Sequence, residues 1–324
     1  MTGGMGGGYL FAYFTSAAEP DGEQVRFAVS EPDDPLRWHA LNNGEPILRS
    51  SVGEGGVRDP FLLRAVGLPG ETARYYLLAS DLCIAERDPS SAWEDSVRNG
   101  SRSIVVWESA DLVTWSEPRL LAVAPPEAGN AWAPEATFDE ATGSYFVYWA
   151  SSLYANPCDR STERSYHRML GANTTDFVEA TPARIWVDRG WSVIDATVVT
   201  DGGYFYRFSK DERSLDSSTP AAKHITVERS RTLTSDRYEL VAEGIGGNYV
   251  RHGEGPIVVP HPSGAGWYLF VDEFGMRRYL ALTSDHLDSA RWDPAEAVLP
   301  AGASHGSILP LTRDERERLQ RAFA

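Results

Sequence analysis

The chain has 324 residues, 42% hydrophobic and 11% aromatic, enough to bury a large core in one domain. A net charge of −16 repels phosphate backbones and polyanions, which excludes nucleic acid as a partner and suits neutral ligands such as uncharged sugars. No apolar run approaches the roughly 18 residues of a membrane span, and no basic segment leading into an apolar one opens the chain. No membrane partner is therefore expected, and a cytoplasmic location is. Cys83 and Cys158, both in polar stretches, fit free thiols of a reducing compartment.

In chain order, "GYLFAYF", "QVRFAVS", "RYYLLAS", "SIVVWES", "SYFVYWA", "GYFYRFSK", "KHITVERS", "GWYLFVDE" and "RYLALTS" read as strands. They are short, rich in β-branched and aromatic residues, and bounded by Gly, Pro, Asp or Ser. Turn chemistry at 139–144, 200–203 and 261–266 joins several into hairpins. The one helical pattern is the charged tail after Pro310, "TRDERERLQRAFA".

A two-part phrase recurs five times. Each copy opens with a polar-then-apolar strand: "VRDPFLL" (57–63), "WAPEATF" (132–138), "VIDATVV" (193–199), "GEGPIVV" (253–259) and "SHGSILP" (304–310). Each also has a tail built on an aromatic: Trp38, Trp115, Phe177, Tyr238 or Trp292. Such repeats predict an all-β, five-bladed β-propeller. The last opening strand lacks a following hairpin, and the first hairpin lacks an opening strand. Pairing 304–311 with 8–48 as one composite blade closes the ring and removes two sheet edges. The other blades fall at about 57–123, 131–188, 192–246 and 252–303, all within a single domain 1–324. Polar insertions at 82–102, 152–168 and 209–222 read as loops that shape one mouth of the ring.

An ionisable residue stands near the start of every opening strand: Asp59, Glu135, Asp195, Glu254 and His305. In a propeller these starts converge. Three carboxylates at one phase of a repeat, Asp59, Asp195 and Glu254, repel one another, which raises at least one pKa. A protonated carboxyl beside ionised ones is the equipment of glycoside hydrolysis. Trp132, at the head of the second blade, offers an apolar face on which a sugar can stack; Phe61 and Trp191 are weaker candidates for the same wall.

The series "VRDPF", "WAPEATF", "VIDATVVTDGGYFYRFSKDE", "GEGPIVV" and "HGSILPLT" resembles glycoside hydrolase family 43, in order and over nearly the whole chain. Two departures are Ala196, where the family more often has Pro, and Glu135, where it more often has Asp. The resemblance implies an inverting, exo-acting α-L-arabinofuranosidase on a neutral oligosaccharide, with β-xylosidase as the alternative. It implies Asp59 as general base, Asp195 as modulator of the acid's pKa and Glu254 as general acid, the acid and base roughly 6.5–9.5 Å apart. Arg277 matches the family's active-site arginine, with Arg278 as the competing choice, and Glu135 joins the substrate-binding set. The chemistry requires no cofactor; His305 matches a channel histidine beside which the family allows a structural calcium ion. A retaining fructosidase is disfavoured because neither cysteine follows a Glu. A non-catalytic sugar-binding propeller would need no acids.

Overall fold

The computed structural model describes residues 6–68, 74–158, 160, 164–276 and 278–323. Three strands open it, β1 (Tyr9–Phe14), β2 (Arg26–Glu31) and β3 (Asp34–Ala40). The first blade holds β4 (Val57–Arg64), β5 (Tyr75–Asp81), β6 (Ser103–Ser109) and β7 (Arg119–Ala122), with helix α1 (Ala92–Asn99) between β5 and β6. The second blade holds β8 (Trp132–Asp139), β9 (Ser144–Ser152), β10 (His167–Thr174) and β11 (Arg184–Val187). The third holds β12 (Val193–Asp201), β13 (Tyr204–Asp211), β14 (Ile225–Ser230) and β15 (Glu239–Ile245). The fourth holds β16 (Gly253–Pro260), β17 (Trp267–Glu273), β18 (Arg278–Ser284) and β19 (Asp293–Ala295). Strand β20 (Ser304–Pro310) pairs antiparallel with β1, so the composite fifth blade runs β20-β1-β2-β3 and closes the ring as expected. Helix α2 (Arg313–Ala322) follows.

The second strand of each blade is buried on both sides, which is why these segments read as unbroken apolar runs. Along β5, Tyr75, Leu77 and Ala79 pack toward the composite blade, while Tyr76 and Leu78 pack toward the second blade. Along β9 the same alternation sends Tyr145, Val147 and Trp149 one way and Phe146 and Tyr148 the other. Five inter-blade cores result, and the ring has no free face to bury. The aromatic tails hold the outer edges. The indoles of Trp38, Trp115 and Trp292 donate to carbonyls three residues back, those of Pro35, Leu112 and Ser289, at 2.7, 3.1 and 3.2 Å.

Helix α2 is closed at its start by a reciprocal cap between Thr312 and Glu315. Glu315 also takes the guanidinium of Arg64 and the hydroxyl of Tyr75, which ties the C-terminal segment to the first blade. Helix α1 was not expected: the insertion 82–102 read as loop. Its eight residues are too few to show an apolar period, and only Ser91 before it, Glu94 and Asp95 in its first turn and Gly100 after it mark its ends.

The inner strands β4, β8, β12, β16 and β20 stand next to one another in that order around the channel. Each enters at the same mouth. The connections from second to third strand, 82–102, 212–224 and the described part of 153–166, return to that same mouth.

Candidate active site

Every inner strand breaks its ladder at one place. The register shifts lie between Arg58 and Phe61, Trp132 and Glu135, Ile194 and Thr197, and Glu254 and Ile257, with a matching shift where β20 meets β1. At these bulges Asp59, Ala133, Asp195 and Gly255 have positive φ, between 48° and 53°. A left-handed non-glycine residue costs about 1 kcal/mol and persists where surrounding structure holds it. The shift aims the bulge residue at the channel axis and frees its backbone N–H from the ladder. A neighbouring blade's side chain then takes that N–H. Ala133 donates to Ser80 Oγ at 2.7 Å, Gly255 to Asp195 Oδ2 at 3.1 Å, and His305 to Asp272 Oδ2 at 3.0 Å.

The five ionisable residues thus do not share one phase. Asp59, Asp195 and His305 occupy the bulge; Glu254 precedes it by one residue and Glu135 follows it by two. In the fourth blade Gly255 takes the bulge because a Cβ there would lie 2.6 Å from the His305 ring. The carboxylate of that blade is displaced to the adjacent position.

Asp59 sits at the head of the first blade between two donors. His305 Nδ1 lies 3.3 Å from Oδ1, and Ser80 Oγ donates to Oδ2 at 2.7 Å. Because Ser80 Oγ already accepts from Ala133, its proton is directed at Asp59. Burial alone would raise the Asp59 carboxyl, but the hydrogen bond and charge of His305 outweigh it and hold the group below its usual range. His305 moves the opposite way. Burial would lower it, yet Asp59, Asp195 and Glu135 push it up to about 9.

On the far side of the mouth, Asp195 is pushed up to about 6, chiefly by burial and then by the negative charge of Glu254, with His305 and Lys210 opposing. Asp272, cross-strand partner of Glu254, rises to about 7, again by burial and then by Glu254. Glu254 itself is held by a lysine: Lys210 Nζ lies 2.6 Å from Oε2, and Glu212 and Lys223 extend the chain of alternating charge at 2.8 and 2.6 Å. The Lys210 side chain is 3% exposed. Neither Lys210 nor Asp272 was singled out from the sequence. Their signal was available: "FSKDE" and "LFVDE" each place a charge inside an otherwise apolar second strand, and such a charge is buried only with a partner.

The remaining candidates scatter. Trp132 stands at the mouth with one face on His167, ring centroids 5.2 Å apart, and its neighbour Trp93 from α1 meets it edge-on at 6.2 Å. Trp93 is 49% exposed and carries the Arg58 guanidinium 5.0 Å over its ring. Phe61, two residues past the bulge of its strand, packs against the core between the first two blades. Trp191 lines a cavity of about 400 Å³ between the second and third blades, its indole donating to Asp211 Oδ2 at 3.2 Å and its ring covered by Arg213. Glu135, two residues past the bulge, is 5% exposed and accepts from the Tyr148 hydroxyl at 3.2 Å. Arg277 lies outside the described residues. Arg278 is half exposed and ion-paired with Glu273. Cys83 is free and buried, Cys158 free and exposed.

Burial pushes Glu135 up to about 8 from 4.5. A carboxyl raised in the fold contributes stability below its unfolded value that is lost as pH climbs through its folded one. Glu135→Gln stays neutral, so its Tm is expected to match wild type below about pH 4 and to exceed it near pH 9. A lower Tm than wild type at the alkaline end would show that Glu135 is ionised in the fold.

His305, which the resemblance sets beside a channel calcium ion, turns its Nδ1 to Asp59 at 3.3 Å. Among the described residues no three His, Cys, Asp or Glu side chains group to hold a metal ion.

A five-bladed ring with opposed carboxylates at one mouth, one kept ionised and others biased toward protonation, is the architecture of a glycosidase. The chain belongs to the glycosyl hydrolase family 43-related family, whose model, a probable glycosyl hydrolase domain, matches residues 6–317. An α-L-arabinofuranosidase of Bifidobacterium longum subsp. longum is 34% identical over 246 residues, 72% of this chain; the matched segment spans 22% of that protein's length. A thermostable family-43 glycoside hydrolase superposes with a TM-score of 0.51 at 17% identity, over 78% of this chain and 75% of that one. An α-L-arabinofuranosidase of Fusarium graminearum in complex with an iminosugar inhibitor gives 0.54 at 14%, over 90% and 79%. These two likenesses are of fold.

Proposed function

We propose that the chain is an inverting, exo-acting α-L-arabinofuranosidase that removes terminal arabinose from neutral oligosaccharides. The observation that carries the reading is the asymmetry across the mouth. Asp59 is kept ionised by His305 and Ser80, while the carboxyls around Glu254 are pushed toward protonation. One side is built to accept a proton and the other to hold one. The similarity to the Bifidobacterium enzyme supports arabinofuranose as the sugar.

In this reading Glu254 donates its proton from Oε1, since Oε2 is held by Lys210. Asp59 deprotonates a water on the opposite face of the sugar. Asp195 is the modulator beside the acid, and its bond to the Gly255 N–H fixes the backbone on which Glu254 rides. Trp132 and Trp93 meet edge-on, and Trp93 carries Arg58, the chain neighbour of the base. The ring of insertions favours a pocket, and a pocket admits a chain end.

The test is a panel of nitrophenyl α-L-arabinofuranoside, β-D-xyloside and β-D-galactoside, with the product anomer followed by proton NMR. The expected result is turnover of the arabinofuranoside with the inverted anomer formed first. Turnover of the xyloside alone would transfer the assignment to β-xylosidase, and a retained anomer would remove Asp59 from the base role.

A further inference from the structure

The turn between β17 and β18 carries two large apolar side chains that the fold does not use. Phe274 is 57% exposed and Met276 56%. On a chain whose other aromatics are mostly packed between blades, such exposure leaves apolar area in water at a cost, and it usually marks a contact surface.

The position of Phe274 is defined. Glu254 and Asp272 are cross-strand partners, and the turn begins two residues past Asp272. The Phe274 N–H donates to His252 O at 3.0 Å, which pins the turn beside the entry of the strand that bears Glu254. Lys210 Nζ stands 5.5 Å over the Phe274 ring and 2.6 Å from Glu254 Oε2. One ammonium therefore borders both the proton donor and the ring. Trp93 carries the guanidinium of Arg58, the chain neighbour of Asp59.

In an inverting displacement water arrives on the base's side and the leaving group departs on the acid's side. An aromatic ring bordering the acid therefore faces the sugar that leaves, not the sugar that is attacked. Rings of this kind hold sugars by offering flat apolar area to their C–H faces. With the cation of Lys210 on one face, the other face of Phe274 remains for that contact.

We propose that Phe274 is the platform for the leaving-group sugar and so sets the preference for oligosaccharides over small glycosides. The inference rests on the proposed function above and deepens it. Phe274 is a specificity residue; it moves no proton.

The experiment compares kcat/KM for an α-linked arabinofuranosyl disaccharide and for methyl α-L-arabinofuranoside, whose methyl group is too small to reach the ring. Phe274→Ala is expected to lose about tenfold on the disaccharide, the worth of one aromatic contact, and less than about twofold on the methyl glycoside. Phe274→Trp, which keeps a ring, is expected to stay near wild type on both. Equal losses by Phe274→Ala on the two substrates would overturn the inference, since the ring would then act only by steadying Lys210 and Glu254. Unchanged rates on both would overturn it as well. If wild-type protein hydrolyses neither substrate, the reading of function itself fails and the inference falls with it.

Discussion

Asp59→Asn is expected to lower kcat about 10³-fold on every glycoside, because it removes the group that takes the proton from water. The effect is uniform across leaving groups, since water activation occurs on the face away from them. The local frame supports the substitution. An amide oxygen still accepts from Ser80 Oγ, whose own acceptor site stays on the Ala133 N–H. What is lost is the ion pair with His305. That loss predicts a second, independent signature. Asp59 is lowered and His305 raised to about 9 in the fold. The Asp59 contribution is present above its unfolded value, and the His305 contribution is lost as pH rises through about 9. The Tm deficit of the variant should therefore be present near pH 6 and shrink at more alkaline pH. A variant that keeps activity within about tenfold of wild type, whatever its Tm, would remove Asp59 from the reaction.

Glu254→Gln is expected to show the other behaviour, a loss that depends on the leaving group. With the methyl glycoside or a disaccharide, whose alkoxide cannot depart unprotonated, the loss should reach about 10³-fold or more. With a dinitrophenyl glycoside, whose phenolate leaves without help, it should shrink to about tenfold or less. Lys210 is the structural reason the variant folds. Its ammonium is buried, and an orphaned buried charge is strongly destabilising, but Glu212 remains 2.8 Å away and accounts for the charge. Steady-state rates on the two substrate types measure the effect. Equal losses on both would show that Glu254 positions the sugar without protonating it.

Much of this site was legible before any coordinates. Asp59, Asp195 and Glu254 were found because each opens a repeated strand, and the repeat shows which starts converge. His305 was found in the same way. The closure of the ring by β20 against β1 followed from a strand without a hairpin and a hairpin without a strand. The surroundings of other candidates were not legible: Phe61 stands two residues past the bulge of its strand and packs toward the second blade, and Trp191 lies in the connection before β12, on the cavity between the second and third blades. Glu135 looked like the counterpart of Asp59 because both stand early in their strands. The register of the bulge separates them by two positions.

The neighbours of the acid were the larger omission. Lys210 and Glu254 are 44 residues apart, and Asp272 and His305 are 33 apart. Nothing local in "FSKDE" says which acid its lysine meets. Phe274 and Trp93 were equally hidden, one in a short turn and the other on a helix too brief to announce itself.

The amino-acid order alone determined the number of blades and the way the ring closes, and it named three carboxylates as the candidates for catalysis. Those follow from short-range alternation and its fivefold return, which any strand of that pattern obeys. Only the tertiary structure decided the phase of each side chain, which carboxyl is held ionised and which cation stands beside the acid. Those depend on backbone bulges and on charges brought together from different blades, whose separation in space bears no relation to their separation along the chain.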